Sequence, residues 1–91
     1  MRTIWKAAVR PDSARGQALP VEVPARRGAR ALTVGRQHDA VCVWFEVDDG
    51  EPPAPLNLWC VGTGFGAVPA GKRFLGTVVD GSHVWHFYAD P

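Results

Sequence analysis

The stretch Phe74-Leu75-Gly76-Thr77-Val78-Val79-Asp80-Gly81-Ser82-His83-Val84-Trp85-His86-Phe87 decides the fold class, because it holds two apolar runs separated by Asp-Gly. That dipeptide between such runs signals a two-residue type I′ hairpin, whose central residues both need positive φ. An Asp80-Gly81 loop fixes the register, setting Val78 opposite His83, Gly76 opposite Trp85 and Phe74 opposite Phe87. An aromatic ring across from a strand glycine covers the bare backbone, so the turn signal and the pairing agree.

The same period-two alternation recurs upstream, and no segment keeps apolar residues at helical spacing for three turns. Ala40 to Val47 places Val41, Val43, Phe45 and Val47 on one face and Cys42 and Trp44 on the other, which marks a central strand. Arg30 to Gly35 precedes it, with Leu32 and Val34 expected inward and a turn at Gln37-His38-Asp39. Leu19, Val21 and Val23 alternate as well. Pro20 cannot donate to a ladder, so this run is expected at a sheet edge and ends at Pro24. Thr3 to Val9 puts Trp5, Ala7 and Val9 on one face and Lys6 on the other, and Pro11-Asp12-Ser13 stops it. Asp48 to Pro55 reads as a polar, proline-stiffened loop, and Leu56 to Val61 resumes the β pattern.

The expectation is an all-β domain over 1–91, a compact sandwich or small barrel of six to seven short strands ending in the Asp80-Gly81 hairpin. A single short helix in 62–72 or 11–16 is the alternative local reading. The chain has 91 residues, 46% of them hydrophobic, with four Trp and four Phe, a composition that folds rather than stays disordered. So short a chain buries only about 60 to 65% of its unfolded surface, and homo-oligomerisation would add to a thin stability margin.

Met1-Arg2-Thr3-Ile4-Trp5-Lys6 is too short and too charged for a signal peptide, and no apolar run approaches the roughly 18 residues that cross a bilayer. A cytoplasmic protein without membrane contact is expected. Cys42 and Cys60 sit within apolar runs, as buried thiols of a reducing compartment do, although spacing alone leaves a bridge between them open. The net charge of +1 is unevenly spread. Eight basic and two acidic residues lie in 1–36, against two basic and seven acidic in 37–91. Folding can interleave these halves or hold them apart.

No catalytic set is legible. His83 and His86 are three apart on a strand, so their imidazoles face opposite sides of the sheet and cannot meet at one metal ion. His38 falls in a turn beside Asp39 with no third partner, and thiols at apolar positions are poor nucleophiles. Asp48, Asp49 and Glu51 beside three prolines read as a solvated loop. The reading is therefore a protein without catalytic residues, metal or cofactor.

Two binding features remain. Gly62-Thr63-Gly64-Phe65-Gly66 superficially resembles a phosphate-cradling loop, but it lacks the lysine and the following helix. The competing explanation is a turn that needs positive φ, with Phe65 exposed at its tip as a contact surface. Arg26, Arg27, Arg30 and Arg36 are a candidate basic patch. The aromatic residues lie mostly elsewhere, which denies nucleic acid its stacking platforms and argues against it as a partner.

As a set, Met1-Arg2-Thr3-Ile4-Trp5-Lys6, Val41-Cys42-Val43-Trp44, Val61-Gly62-Thr63-Gly64, Phe74-Leu75-Gly76-Thr77 and Val84-Trp85-His86-Phe87 resemble small proteins encoded by bacteriophages and prophages. The resemblance runs the length of the chain, brings no assigned activity or catalytic residues, and departs at the Arg-rich 26–36. It implies a phage-encoded, non-enzymatic binding protein that engages a host protein and modulates host physiology or defence. A second expectation is a module sequestering a small anionic ligand such as a nucleotide, with Arg26, Arg27 or Arg30 acting together with Gly62, Thr63, Gly64 and Phe65. A third is a structural or virion accessory protein.

Overall fold

The structure, a computed structural model, describes residues 1–11 and 18–91. The described residues form seven strands and no helix: β1 (Arg2–Val9), β2 (Leu19–Arg26), β3 (Arg30–Gln37), β4 (Ala40–Asp48), β5 (Pro53–Gly62), β6 (Arg73–Asp80) and β7 (His83–Ala89). They build two antiparallel sheets, ordered β1-β4-β3 and β2-β5-β7-β6, which pack face to face as a sandwich without closing into a barrel. Residues 62–72 turn without forming a helix, while 12–16 of the other helical expectation lie outside the described residues.

Alternation explains the core. Phe45, Val43 and Val47 of β4 meet Leu58 and Cys60 of β5, Val23 of β2 and Phe87 of β7, all almost completely buried. Trp5 on β1 packs edge to face on Phe45, with centroids 6.2 Å apart. The second face of β4 is different, since Cys42 is buried there whereas Trp44 is only half-covered. Cys42 thus points away from the core that contains Cys60, and no disulfide joins them.

Four local expectations are corrected by the pairing. The last hairpin turns on Gly81-Ser82, not Asp80-Gly81: Asp80 pairs with His83, Val78 with Trp85 and Gly76 with Phe87. Gly81 has φ +61 and Ser82 has no positive φ, as in a type II′ turn, which asks for glycine only at its first central position. The partners of Val78 and Gly76 slide by two residues, so their inward and outward faces are kept and Gly76 still stands opposite an aromatic residue. The irregularity between Phe74 and Gly76 then sets Phe74 against Tyr88 rather than Phe87.

In β3 the register shifts between Ala31 and Thr33, so Ala31 and Val34 face the core while Leu32 turns to the outer face instead of inward. β2 is an edge strand as expected, but it runs past Pro24 to Arg26. Pro24 stands opposite Pro55, a pairing that suits a non-hydrogen-bonded site, where neither missing N–H belongs to the ladder. For the same reason Pro53 to Pro55, expected in a loop, begin β5.

The two sheets come closest where β3 meets β6. A Cβ added to Gly76 would lie 2.9 Å from Val34 Cγ2, so the bare glycine is what permits this approach. The charge halves interleave: Arg2 pairs with Glu46, Arg27 with Glu51 and Arg36 with Asp80, each basic residue drawn from the first 36 positions and each acid from the rest.

Candidate functional site

β5 and β6 both run antiparallel to β7, which lies between them, so they are parallel and the connection 63–72 has to pass over β7. Its two ends place it on the outer face of the four-stranded sheet. At one end Thr63 reaches His86 of β7; at the other Lys72 lays its ammonium 4.0 Å from the Trp59 ring centre and bonds Asp90 at 2.8 Å. Val61 points to this outer face and yet is buried outside the main core, as a residue beneath a covering segment would be.

The crossover starts with a tight turn. Phe65 N–H donates to the Gly62 carbonyl at 3.0 Å, and Gly64 takes φ +77 at the third position, where a type II turn requires glycine. Thr63 N–H donates to the Val84 carbonyl at 3.2 Å. Two amides of the glycine segment are therefore already engaged and do not point at an anion. The positive-φ explanation of this segment holds at Gly64, and Phe65 is exposed.

The turn presents Thr63 to the His86 imidazole, which is held from both sides. Thr63 Oγ1 lies 2.7 Å from Nε2, and Thr77 Oγ1 of β6 lies 2.9 Å from Nδ1. In either neutral tautomer one hydroxyl accepts from the ring N–H and the other donates to the bare nitrogen; in the imidazolium both accept. Both ring nitrogens are occupied, and a hydroxyl rather than a carboxylate stands where hydrolase triads hold a charge-stabilising group. The arrangement ties the crossover, β6 and β7 together. It also joins three of the sequence motifs, those containing Gly62-Thr63-Gly64, Gly76-Thr77 and Trp85-His86.

Six large apolar side chains are well exposed among the described residues, and four belong to the crossover and the outer face of β6: Phe65 at 46%, Val68 at 65%, Phe74 at 55% and Val79 at 62%. Phe74 stands edge to face with Tyr88, centroids 5.5 Å apart, and Tyr88 is the register partner of Trp59. The nearby charges of Lys72 and Asp90 neutralise each other. His83 faces away from His86, stacked on Trp85 with centroids 5.3 Å apart and planes 6° off parallel, as the strand spacing requires.

Arg26, Arg27 and Arg30 lie elsewhere, and Arg36 is drawn away from them to Asp80. Arg26 pairs in register with Pro53 at the start of β5, whereas Gly62 is at its end; nine residue steps at about 3.3 Å put roughly 30 Å between them. Arg26 sits over Trp5 at 5.9 Å and donates to the Glu51 carbonyl, Arg27 is bonded to Glu51, and Arg30 pairs in register with Glu46. The arginines and the glycine turn do not form one site. Among the described residues no three His, Cys, Asp or Glu side chains gather as metal ligands would, and no helix is long and apolar enough to cross a membrane.

Sequence reasoning singled out Gly62, Thr63, Gly64 and Phe65 but missed Thr77, His86, Val68, Phe74 and Val79. Alternation alone put His86 on the outer face; that Thr63 arrives beside it depends on the crossover.

No curated protein and no solved structure matches the chain. A family model described as a domain of unknown function, DUF7352, matches residues 1–91, and the chain belongs to that family.

Proposed function

We propose that this domain is a binding protein that docks a protein partner on the crossover face of its four-stranded sheet. The observation that carries the reading is that four of the six well-exposed large apolar side chains among the described residues, Phe65, Val68, Phe74 and Val79, belong to the crossover and to β6, beside the paired charges of Lys72 and Asp90. Exposed apolar side chains that gather into a patch on a monomer mark interaction sites. The His86 clamp supports the same reading, since it fixes the crossover and so limits the ordering cost of binding.

The resemblance of the five motifs to phage and prophage proteins supports a phage origin and a host protein as the partner. The domain is made by a phage in the bacterial cytoplasm and engages a host protein to adjust host physiology or defence. A nucleotide-sequestering role loses the convergence it needs, because Arg26, Arg27 and Arg30 stand at the other end of β5.

The test is capture from a lysate of the bacterial host with tagged wild-type protein, Val68→Asp and Ile4→Asp. Ile4 is exposed on the opposite sheet and serves as the control. One stoichiometric protein retained by wild type and Ile4→Asp but lost by Val68→Asp is expected. Retention by Val68→Asp as well, or loss with Ile4→Asp alone, counts against the face.

A further inference from the structure

The four sheet edges are not alike. In β2 the Arg27 N–H donates to the Pro52 carbonyl, so ladder alternation turns the backbone of residues 20, 22, 24 and 26 to the open edge, where Pro20 and Pro24 have no N–H to offer. β3 and β6 each carry an irregularity, between Ala31 and Thr33 and between Phe74 and Gly76, and they pack against one another. β1 has neither guard. All its residues from Arg2 to Val9 pair with β4 without a break, and among the described residues no strand lies on its other side. Arg2 lies about 23 Å of strand from Val9, beyond which residues 12–17 follow.

One hydrogen bond settles which backbone groups face that edge. Asp49 N–H donates to the Met1 carbonyl at 3.1 Å, so Met1, Thr3, Trp5, Ala7 and Val9 direct their backbone groups to β4. Arg2, Ile4, Lys6 and Ala8 present theirs to the open edge, and their side chains are the exposed ones. An edge this long and regular pairs with another strand unless something blocks it.

The strand is complementary to itself. Two copies of β1 placed antiparallel about a two-fold axis at Trp5 overlap from Arg2 to Ala8, setting Arg2 opposite Ala8 and Ile4 opposite Lys6. No two cations then stand opposite each other. Sliding the copies by two residues sets Arg2 against Lys6 in one direction and Lys6 against Lys6 in the other, and like charges directly opposed destabilise a ladder. In the register at Trp5 the Lys6 stem covers the second copy's Ile4. Its ammonium, bonded in its own chain to the neutral Gln37 side chain, comes toward the second copy's Glu46, which neighbours Ile4 on β4. On the inner face the two Trp5 rings meet across the axis at a non-hydrogen-bonded site, where Cα atoms approach to about 4.5 Å and aromatic pairs stabilise the ladder.

We propose that the domain forms a symmetric dimer through β1, joining two three-stranded sheets into one of six strands. Such an isologous contact uses the same patch on both copies. It closes the unguarded edge and adds burial to a chain too short to bury much alone. The crossover face, on the other sheet, stays free for its partner.

Sedimentation equilibrium and amide hydrogen exchange of the intact chain test the dimer. A monomer–dimer equilibrium is expected, with exchange at Arg2, Ile4, Lys6 and Ala8 slower by about ten-fold or more at high than at low concentration, and no such change at Trp5 or Ala7, whose amides β4 already holds. Disulfides read the register: Ile4→Cys and Lys6→Cys chains, mixed and oxidised, should join to one another in preference to their own kind. Ile4→Pro removes an N–H that faces only the open edge, so it should give a monomer with the dispersed spectrum of the fold. Val68→Asp should leave the dimer unchanged. A monomer at every concentration overturns the proposal, as does a dimer in which the four amides exchange unchanged or Ile4→Cys links first to itself. Slower exchange at these amides in a monomer, on adding an acidic peptide alone, assigns the edge to a foreign strand and refutes the second copy.

Discussion

Gly76 on β6 and Val34 on β3 meet so closely that a single added methyl at 76 would lie 2.9 Å from Val34 Cγ2, nearer than side-chain carbons pack. This contact sets the spacing of the two sheets along their β3–β6 side, and through β6 it positions Thr77, the second hydroxyl of the His86 clamp.

Gly76→Ala should therefore overpack the junction and cost about 1–3 kcal/mol of stability, in the range of other inserted methyls. Urea denaturation measures it, and Val34→Ala in the same chain should recover part of the loss. An unchanged midpoint would mean that the sheets adjust freely.

His86→Ala removes two hydrogen bonds on a half-exposed face. At about 0.5–1.5 kcal/mol for each bond, and with the freed hydroxyls able to take water, a loss of about 1 kcal/mol is expected. Hydrogen exchange should report a local effect: faster exchange across 63–72, with the β1–β4 ladder unchanged. Uniform acceleration through both sheets would contradict a clamp confined to the crossover.

His38 holds φ 54 in the two-residue turn between β3 and β4. Left-handed backbone costs an L-residue roughly 1–2 kcal/mol, and glycine returns part of that gain as entropy, so His38→Gly should stabilise by about 0.5–1 kcal/mol. Thermal melts of the two proteins decide it, and a lower melting temperature for the glycine variant would refute the strain.

Asp48 accepts a hydrogen bond from Gly50 N–H at 3.0 Å and faces the Met1 ammonium at 3.3 Å, and these two partners, the backbone bond first, hold its carboxyl below the usual range. A depressed folded pKa stabilises the fold above the unfolded value and loses that contribution as pH falls through the folded one. The melting-temperature advantage of wild type over Asp48→Asn should be present at neutral pH and shrink below about pH 4. The Met1 ammonium is raised, chiefly by Asp49 and then Asp48, so its contribution is full below its unfolded value and fades at alkaline pH. An advantage independent of pH on the acid side would exclude the Asp48 linkage.

Strand identity was legible because side-chain alternation is local: Trp5, Ala7 and Val9, and Val41, Val43, Phe45 and Val47, read inward from sequence and are inward. Register was less so. Both Asp80-Gly81 and Gly81-Ser82 place Gly81 where φ is positive, and only the second matches the pairing found. Leu32 faces out because a bulge is a tertiary adjustment that leaves no mark on the alternation before it. The site was half legible, as Thr63 and Phe65 sit in a visible glycine turn, whereas Thr77 and His86 join them only because β7 lies between β5 and β6. The arginines misled for the opposite reason: sequence proximity to one another says nothing about the 30 Å, or about that, of β5 separating them from the turn.

The most direct measurement is a hydrogen-exchange footprint of the protein bound to its captured partner. The account predicts protection of 62–72, 74–79 and 82–85, with Arg26 to Arg30 and the outer face of β1 and β4 unprotected. Protection confined to the arginine end or to the three-stranded sheet would contradict it.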